Sequence, residues 1–210
     1  MTLRYILAGL VGYLLGSISI SVILTRVFLH KDVREHGSGN AGATNVARVF
    51  GMVAGLLTLA GDMLKTAAAG FLGRFFAGDL GLVIGCAMCL IGHCWPVYFK
   101  FRGGKGVSVS ACIGLLLDWR LFLILCAAFF LMFLLTRKVS ACSMVAAVIF
   151  PIAYWLLHPG FSPEICLGLL VCILVISLHR SNICRLVHGE EAEFRPKTKE
   201  QENPSEESSS

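Results

Sequence analysis

Residues 5 to 25 read YILAGLVGYLLGSISISVILT, an uncharged stretch. A helix of about 20 apolar residues crosses the hydrocarbon core of a bilayer, so this stretch is long enough to span. The first 25 residues contain no polar region closing on a small-residue cleavage site, which makes a removable signal peptide the weaker reading. Composition points the same way: 56% of the 210 residues are hydrophobic and 15% charged, with a mean hydropathy of +0.77. That is too apolar for a soluble globular domain. The expected fold is all-α, a polytopic membrane helix bundle.

Working outward, further apolar runs lie at roughly 51 to 77, 81 to 98, 107 to 117, 121 to 135, 139 to 157 and 164 to 178. With the first run they predict about seven transmembrane helices. The run 107 to 117 is short for a crossing at about 1.5 Å per residue, so five full spans plus a re-entrant pair is the alternative. Seven crossings put the connections at 26 to 50, 99 to 106, 136 to 138 and beyond 178 on one side. Eleven bases fall there, against Arg4, Arg74 and Arg120 on the other. The positive-inside rule then places these connections in the cytoplasm and the N-terminus outside. From Gly189 onward the chain carries seven acids and three bases and ends in three serines. Such a segment buries too little apolar surface to fold, which divides the chain into one membrane domain, 1 to 188, and a disordered acidic cytoplasmic tail, 189 to 210.

Three polar islands interrupt the apolar chain. The first, GSGNAGATNVAR at 37 to 48, combines Gly37, Gly39 and Gly42, which leave backbone amides unshielded, with donors on Ser38, Asn40, Thr44 and Asn45. Arg48 adds a planar, permanently charged fork suited to phosphate. The bland reading is a small-residue loop with one snorkelling arginine. The second, RGGKG at 102 to 106, brings Gly103, Gly104 and Gly106 together with the Lys105 ammonium just before a helix. It lacks the GxxxxGKS spacing, so no nucleotide site follows. His93 stands upstream near Pro96, as a ligand contact or a packed interfacial histidine. The third, HRSNICRL at 179 to 186, places His179 and Asn182 on one helix face, and Asn182 and Arg185 likewise. Arginines after a last span are also common stop-transfer residues.

Within the second run Asp62 and Lys65 lie three apart. Ionisable groups there are costly, and the pair is expected to neutralise itself toward the bundle interior in a structural role. Nine cysteines fall almost entirely in apolar runs, where free cysteine behaves as a small hydrophobe. Cys86, Cys89, His93 and Cys94 have helical spacing for zinc, but ionising thiols in hydrocarbon is unfavourable, so no metal site is expected.

The three islands, in order and at these separations, with GHCWPVYFKFRGGKG at 92 to 106 and HRSNICRLVHGEE at 179 to 191, closely resemble the bacterial membrane glycerol-3-phosphate acyltransferases that use acyl phosphate, the PlsY family. The resemblance covers nearly the whole chain before the tail. It implies transfer of an acyl chain from acyl phosphate to the sn-1 hydroxyl of glycerol 3-phosphate, giving lysophosphatidic acid and phosphate, at the cytoplasmic side of the bacterial inner membrane. It implies no cofactor, and as partners only glycerol 3-phosphate, acyl phosphate and membrane lipid, with no nucleic acid; the residues carry no signal of oligomeric state. By the same resemblance, Ser38, Arg48, Lys105, His179 and Asn182 are expected to act in catalysis. Gly37, Gly39, Asn40, Thr44, Asn45, His93, Gly103, Gly104, Gly106, Ser140, Ser143 and Glu190, with Glu191 as its alternate, are expected to bind substrate. The chain departs from the family at Lys65, followed by Thr66 rather than glycine, and in its tail.

An acyl phosphate is an activated mixed anhydride, so positioning and charge stabilisation can carry most of the rate. The histidine-aspartate dyad of soluble acyltransferases, five positions apart, is absent: Tyr98 follows His93 and Cys184 follows His179 at that interval. The resemblance suggests instead that a substrate phosphate oxygen takes the hydroxyl proton, with His179 as general base the competing reading. A transporter of a small phosphate ester is the alternative function. It favours paired repeats and polar residues at the membrane midplane, and neither is visible. A head-group transferase needs a clustered acidic metal site, whereas Asp32, Glu35, Asp62 and Asp79 are scattered. A purely structural membrane protein has no use for three polar islands.

Overall fold

The computed structural model describes residues 2–195. In it the opening apolar stretch breaks in two: α1 (Thr2–Gly16) ends and α2 (Ile20–Leu29) begins after a three-residue gap. A break in a helix frees carbonyls that need donors. One of them, the Ile18 carbonyl, accepts from Lys65 Nζ at 2.7 Å. The remaining helices are α3 (Ala43–Phe50), α4 (Met52–Cys94), α5 (Val107–Leu117), α6 (Trp119–Thr136), α7 (Val139–Leu157), α8 (Pro163–Leu178) and α9 (Arg180–Val187). No strand occurs among the described residues.

α4 is two helical limbs joined at a sharp kink. Ala77 and Gly78 leave helical geometry, with Gly78 at φ 65°, a left-handed conformation that glycine adopts without strain. The limbs 52–76 and 79–94 fold back on each other. A methyl on Gly73 would collide with the Gly81 carbonyl oxygen, and one on Gly85 would crowd the Ala69 carbonyl. The second limb packs in parallel along α1 by the same device, Gly12 against Gly85 and Gly16 against Cys89. Small residues four apart let helix backbones approach closely, which is how helices associate where lipid offers no hydrophobic drive.

The seven apolar runs read from the sequence thus correspond to seven segments of unequal reach. α6 and α7 are each long enough to cross alone, as are the stretches Thr2–Leu29 and Met52–Phe99, the latter being the folded-back pair. α8 reaches spanning length only together with α9, which it meets at 59°. α5, at 11 residues, rises only about 16 Å and does not cross by itself. Phe150, Leu90, Ile113, Leu121 and Val171 are fully buried where α4 through α8 meet.

The chain remains ordered past its expected domain boundary. The Phe194 amide donates to the Arg137 carbonyl at 2.9 Å, and its ring meets Phe133 edge-on at 6.5 Å between centroids. Residues 189–195 therefore belong to the folded domain, held on the α6–α7 turn. The remainder of the expected acidic tail, 196–210, lies outside the described residues.

Asp62 and Lys65 pair at 2.8 Å in a site where each side chain is at most 5% exposed. Lys65 Nζ also donates to His93 Nδ1 at 3.1 Å, and Ser108 Oγ donates to Asp62 Oδ2 at 2.9 Å. The pair thus joins both limbs of α4, the α1–α2 break and the start of α5. Breaking a buried ion pair by removing one partner costs about 3–5 kcal/mol, because the other charge is left uncompensated. Lys65→Met and Asp62→Asn are each expected to lower thermal stability in detergent by this order, with the double variant less destabilised than the two single losses added together.

Candidate active site

Asp32 organises the approach to the first island. Its carboxylate accepts from Arg34 Nη2 and Arg26 Nη2, each at 2.8 Å, and the Arg34 guanidinium holds the carboxyl well below its ordinary range. Arg34 also donates to the Phe99 carbonyl at 2.9 Å, tying the first island to the second. Asn45 then shapes the loop from within. At 2% exposure, its Nδ2 donates to the Val33, His36 and Asn40 carbonyls at 3.2, 3.0 and 3.0 Å, and its Oδ1 accepts from the Ser38 amide at 3.0 Å. Gly37 has φ 59°, and a methyl there would collide with Asn45 Oδ1.

This loop, the second and third islands and the start of α7 surround one cavity of about 390 Å³. Ser38, Asn40, Thr44 and Arg48 line it from the first island, and His93 and Lys105 from the second. Ser140 and Ser143 contribute from α7, and His179 and Asn182 from the bend between α8 and α9. Residues as distant in the chain as Ser38, Lys105 and Asn182 thus line one cavity. The connections expected on one membrane side all reach this single end of the bundle.

Several expected contacts serve the scaffold instead. Asn45 touches the cavity wall, but all its hydrogen-bonding capacity for strong partners goes to the loop backbone. Gly37 and Gly39, in left-handed conformations, turn that loop and lie off the cavity. Gly103, Gly104 and Gly106 also lie off it. A methyl on Gly103 would strike the His93 carbonyl and one on Gly104 the His93 ring, and the Gly104 amide is already bonded to the His93 carbonyl at 3.1 Å. The glycines of RGGKG exist to seat this turn on the end of α4, and Lys105 alone reaches the cavity. Ser143 returns its hydroxyl to the Val139 carbonyl at 2.8 Å.

Glu190 is exposed, and its neighbour takes the expected place. Glu191 Oε1 accepts from Ser140 Oγ at 2.7 Å and Asn182 Nδ2 at 2.6 Å, and its Oε2 accepts from Arg185 Nε at 2.6 Å. Burial opposes its charge, but these donors hold the carboxyl below its ordinary value. The Asn182 amide, so oriented, turns its oxygen to Lys105 Nζ. Arg185, whose spacing from Asn182 puts it on the same helix face, lines the cavity and is more than a stop-transfer residue. Burial, with Arg185 and Arg48 nearby, brings the Lys105 ammonium down to about 8, Glu191 opposing the shift.

His179, 3% exposed, has Nδ1 at 2.7 Å from the Val175 carbonyl. That oxygen only accepts, so Nδ1 carries a proton and a neutral ring keeps its lone pair on Nε2. Asn40 Oδ1 is buried without a hydrogen-bond partner, the sole such side-chain atom among the described residues. A buried acceptor left unpaired is unfavourable, and Asn40 stands in the cavity wall. Away from these groups the wall turns apolar, with Leu59 and Met63 from α4, Phe129 and Phe130 from α6, and Phe150 from α7. Phe130 is also 63% exposed on the outside of the bundle, so the apolar limb reaches the surface that faces lipid. This combination of a cationic, hydrogen-bonding head and an apolar limb matches a ligand with a phosphate at one end and a hydrocarbon chain at the other. Periodicity had no means of marking that limb, because its residues read as ordinary span.

Comparison with known proteins bears on the same architecture. The family model described as glycerol-3-phosphate acyltransferase matches residues 6–189. A glycerol-3-phosphate acyltransferase of Finegoldia magna is 38% identical over 198 residues, covering 91% of this chain and 97% of its own. One from Syntrophomonas wolfei is 40% identical, covering 88% and 94%. Among solved structures, PlsY (YgiH), an integral membrane glycerol 3-phosphate acyltransferase, in its glycerol 3-phosphate form, superposes with a TM-score of 0.85 at 29% identity, over 91% of this chain and 96% of that one. Its lysophosphatidic acid form gives a TM-score of 0.82 at 28% identity.

The Asn45 contacts yield a prediction independent of any ligand. Asn45→Ala leaves three carbonyls and the Ser38 amide without this partner, at about 1–3 kcal/mol for each buried group that finds no replacement. Hydrogen exchange is expected to accelerate across 33–45 while α6 and α7 keep their protection.

Proposed function

The chain belongs to the glycerol-3-phosphate acyltransferase family, and we propose that it transfers an acyl chain from acyl phosphate to the sn-1 hydroxyl of glycerol 3-phosphate, from the cytoplasmic side of a bacterial inner membrane. The single observation that carries this reading is the cavity itself: cations and neutral donors from three distant islands at one end, and an apolar limb continuous with them. Both reactants bear phosphate and the donor alone bears a long chain, so one head with a single apolar branch suits the pair. The eleven bases on the connections at this end support the cytoplasmic orientation.

In this mechanism Arg48, Lys105 and Arg185 draw the two phosphates together and offset their mutual repulsion. Asn182, oriented by Glu191, and His179 contact the glycerol phosphate, with Asn40 accepting from a glycerol hydroxyl. Lys105 and the Ser38 loop steady the acyl phosphate and the negative charge that develops on its carbonyl oxygen. The sn-1 oxygen attacks the carbonyl carbon and forms the ester C–O bond. The bond between that carbon and the bridging phosphate oxygen breaks, and its electron pair leaves with phosphate. The hydroxyl proton passes to a phosphate oxygen, so none of these steps calls on a cofactor. Purified enzyme in detergent is expected to release phosphate only when both substrates are present. Vectorial uptake of a phosphate ester into vesicles without phosphate release would overturn the reading in favour of a transporter.

Two further outcomes follow from the geometry. Lys105 is cationic below about 8 and neutral above it, and anion binding needs the cation. Hence kcat/KM for glycerol 3-phosphate, which reports free-enzyme groups, is expected to fall as pH rises through about 8. In Lys105→Arg, whatever its reduced rate, this alkaline limb moves out of range, because guanidinium keeps its charge past pH 12. His179→Asn tests the base: general-base catalysis contributes about 10²–10⁴-fold. With a substrate phosphate as base, the variant's kcat stays within about tenfold of the parent and its main loss is in KM for glycerol 3-phosphate.

A further inference from the structure

Residues 190–195 form neither helix nor strand, and they begin where the family match ends, at 189. They are fixed at two points all the same. At the near one, the Glu190 and Glu191 amides donate to the Arg185 carbonyl at 2.8 and 3.2 Å. At the far one, the Phe194 amide donates to the Arg137 carbonyl and the Phe194 ring meets Phe133. Between them Ala192 stands in the cavity wall. This strap carries three acids, Glu190, Glu191 and Glu193, of which one is turned inward. The Glu191 side chain is 8% exposed and that of Glu193 49% exposed, while Glu190 is also exposed. A carboxylate leaves water only where donors replace it, and a slip by one residue would offer Glu190 to the same donors. Phe194 is the one large apolar residue after Val187, so it alone can give the strap an apolar anchor.

We propose that Phe194 is a positioning residue for acyl transfer: docked on Phe133 and the Arg137 carbonyl, it fixes the register of the strap so that Glu191 meets Ser140, Asn182 and Arg185. This rests on the reading that Lys105 binds substrate phosphate. Phe194 itself lies off the cavity and acts through Glu191. The α6–α7 turn that holds Phe194 leads directly into Ser140, so one short piece of chain fixes both the anchor and the first partner of the carboxylate. Lys105 reports whether Glu191 is in place. Burial, Arg185 of α9 and Arg48 of α3 lower its ammonium, and Glu191 opposes them; His179, at the α8–α9 bend, is the other titratable group facing it. Displacing Glu191 removes the opposing charge, so Lys105 then loses its proton at a lower pH than about 8.

The test uses the full chain in detergent with acyl phosphate and glycerol 3-phosphate. Phe194→Ala removes the ring, and Phe194→Pro removes the amide as well. In both, kcat/KM for glycerol 3-phosphate at pH 7 is expected to fall about tenfold, within what misplacing a binding group by about 1 Å can cost. Its alkaline limb moves to lower pH, a change that lost stability alone does not produce. Phe194→Tyr, which keeps ring and amide, restores the parent profile. In a Glu191→Ala background, where no carboxylate remains to be placed, Phe194→Ala has no further effect on either measure. Hydrogen exchange of the Glu190 and Glu191 amides accelerates in Phe194→Ala while that of α6 and α7 does not. A Phe194→Pro enzyme with the parent's kcat/KM and alkaline limb overturns the proposal. A loss equal at every pH, or one that persists undiminished in Glu191→Ala, also overturns it, and each leaves the acyl-phosphate reaction standing. A parent that turns over no acyl phosphate overturns that reaction instead, and the amide exchange then decides separately whether Phe194 holds the strap.

Discussion

A lysine and an aspartate taken out of water hold this molecule in register. Removing two charges from water is costly, and the loss is recovered only where every remaining donor and acceptor is satisfied. Lys65 meets this condition by spanning Asp62, His93 and the Ile18 carbonyl, while Asp62 also takes the Ser108 hydroxyl. Each contact lies on a different element: the α1–α2 break, the two limbs of α4, and the first turn of α5. His93 in turn receives the Gly104 amide on its carbonyl, which places Lys105. The cationic head of the cavity is thus set by a pair that never touches the cavity's contents.

Much of this was legible in the residues, for identifiable reasons. Apolar length is a strong signal where lipid is the solvent, so α5, α7 and α8 begin and end within a residue or so of the expected runs. The Asp62–Lys65 pair was legible because charges in hydrocarbon must find partners within reach, and a three-residue spacing supplies one. Lys105, His179, Asn182 and Arg48 stood out as polar groups with no local reason to be there. The glycines misled because the same residue serves two ends. Gly103 and Gly104 leave backbone bare, and the end of α4 packs against them. Asn45 misled likewise, since a donor in a polar loop looks the same in sequence whether it faces the ligand or the loop's own carbonyls.

What the sequence concealed was set by tertiary arrangement. The break at Ser17 to Ser19 lies inside an uncharged stretch and costs nothing in hydropathy, so only the carbonyls it frees reveal its use. The apolar limb is a gap between spans rather than a property of any one of them. Arg185 could be read as a site residue or a stop-transfer residue, and Glu191 only as the alternate to Glu190, because their places depend on a bend of 59° between α8 and α9. Glu190 and Glu191 are adjacent and chemically the same, and only the turn after α9 decides which faces Ser140.

The position of Glu191 has a consequence for biogenesis. It follows every helix among the described residues, yet it orients Asn182 and through it Lys105, and it anchors Ser140 at the start of α7. During synthesis the spans enter the bilayer in order while this carboxylate is still inside the ribosome. Until it emerges, Arg185, Lys105 and Arg48 face one another with no resident anion among them. A chain made only as far as α9 therefore holds the bundle without the carboxylate that joins Ser140, Asn182 and Arg185.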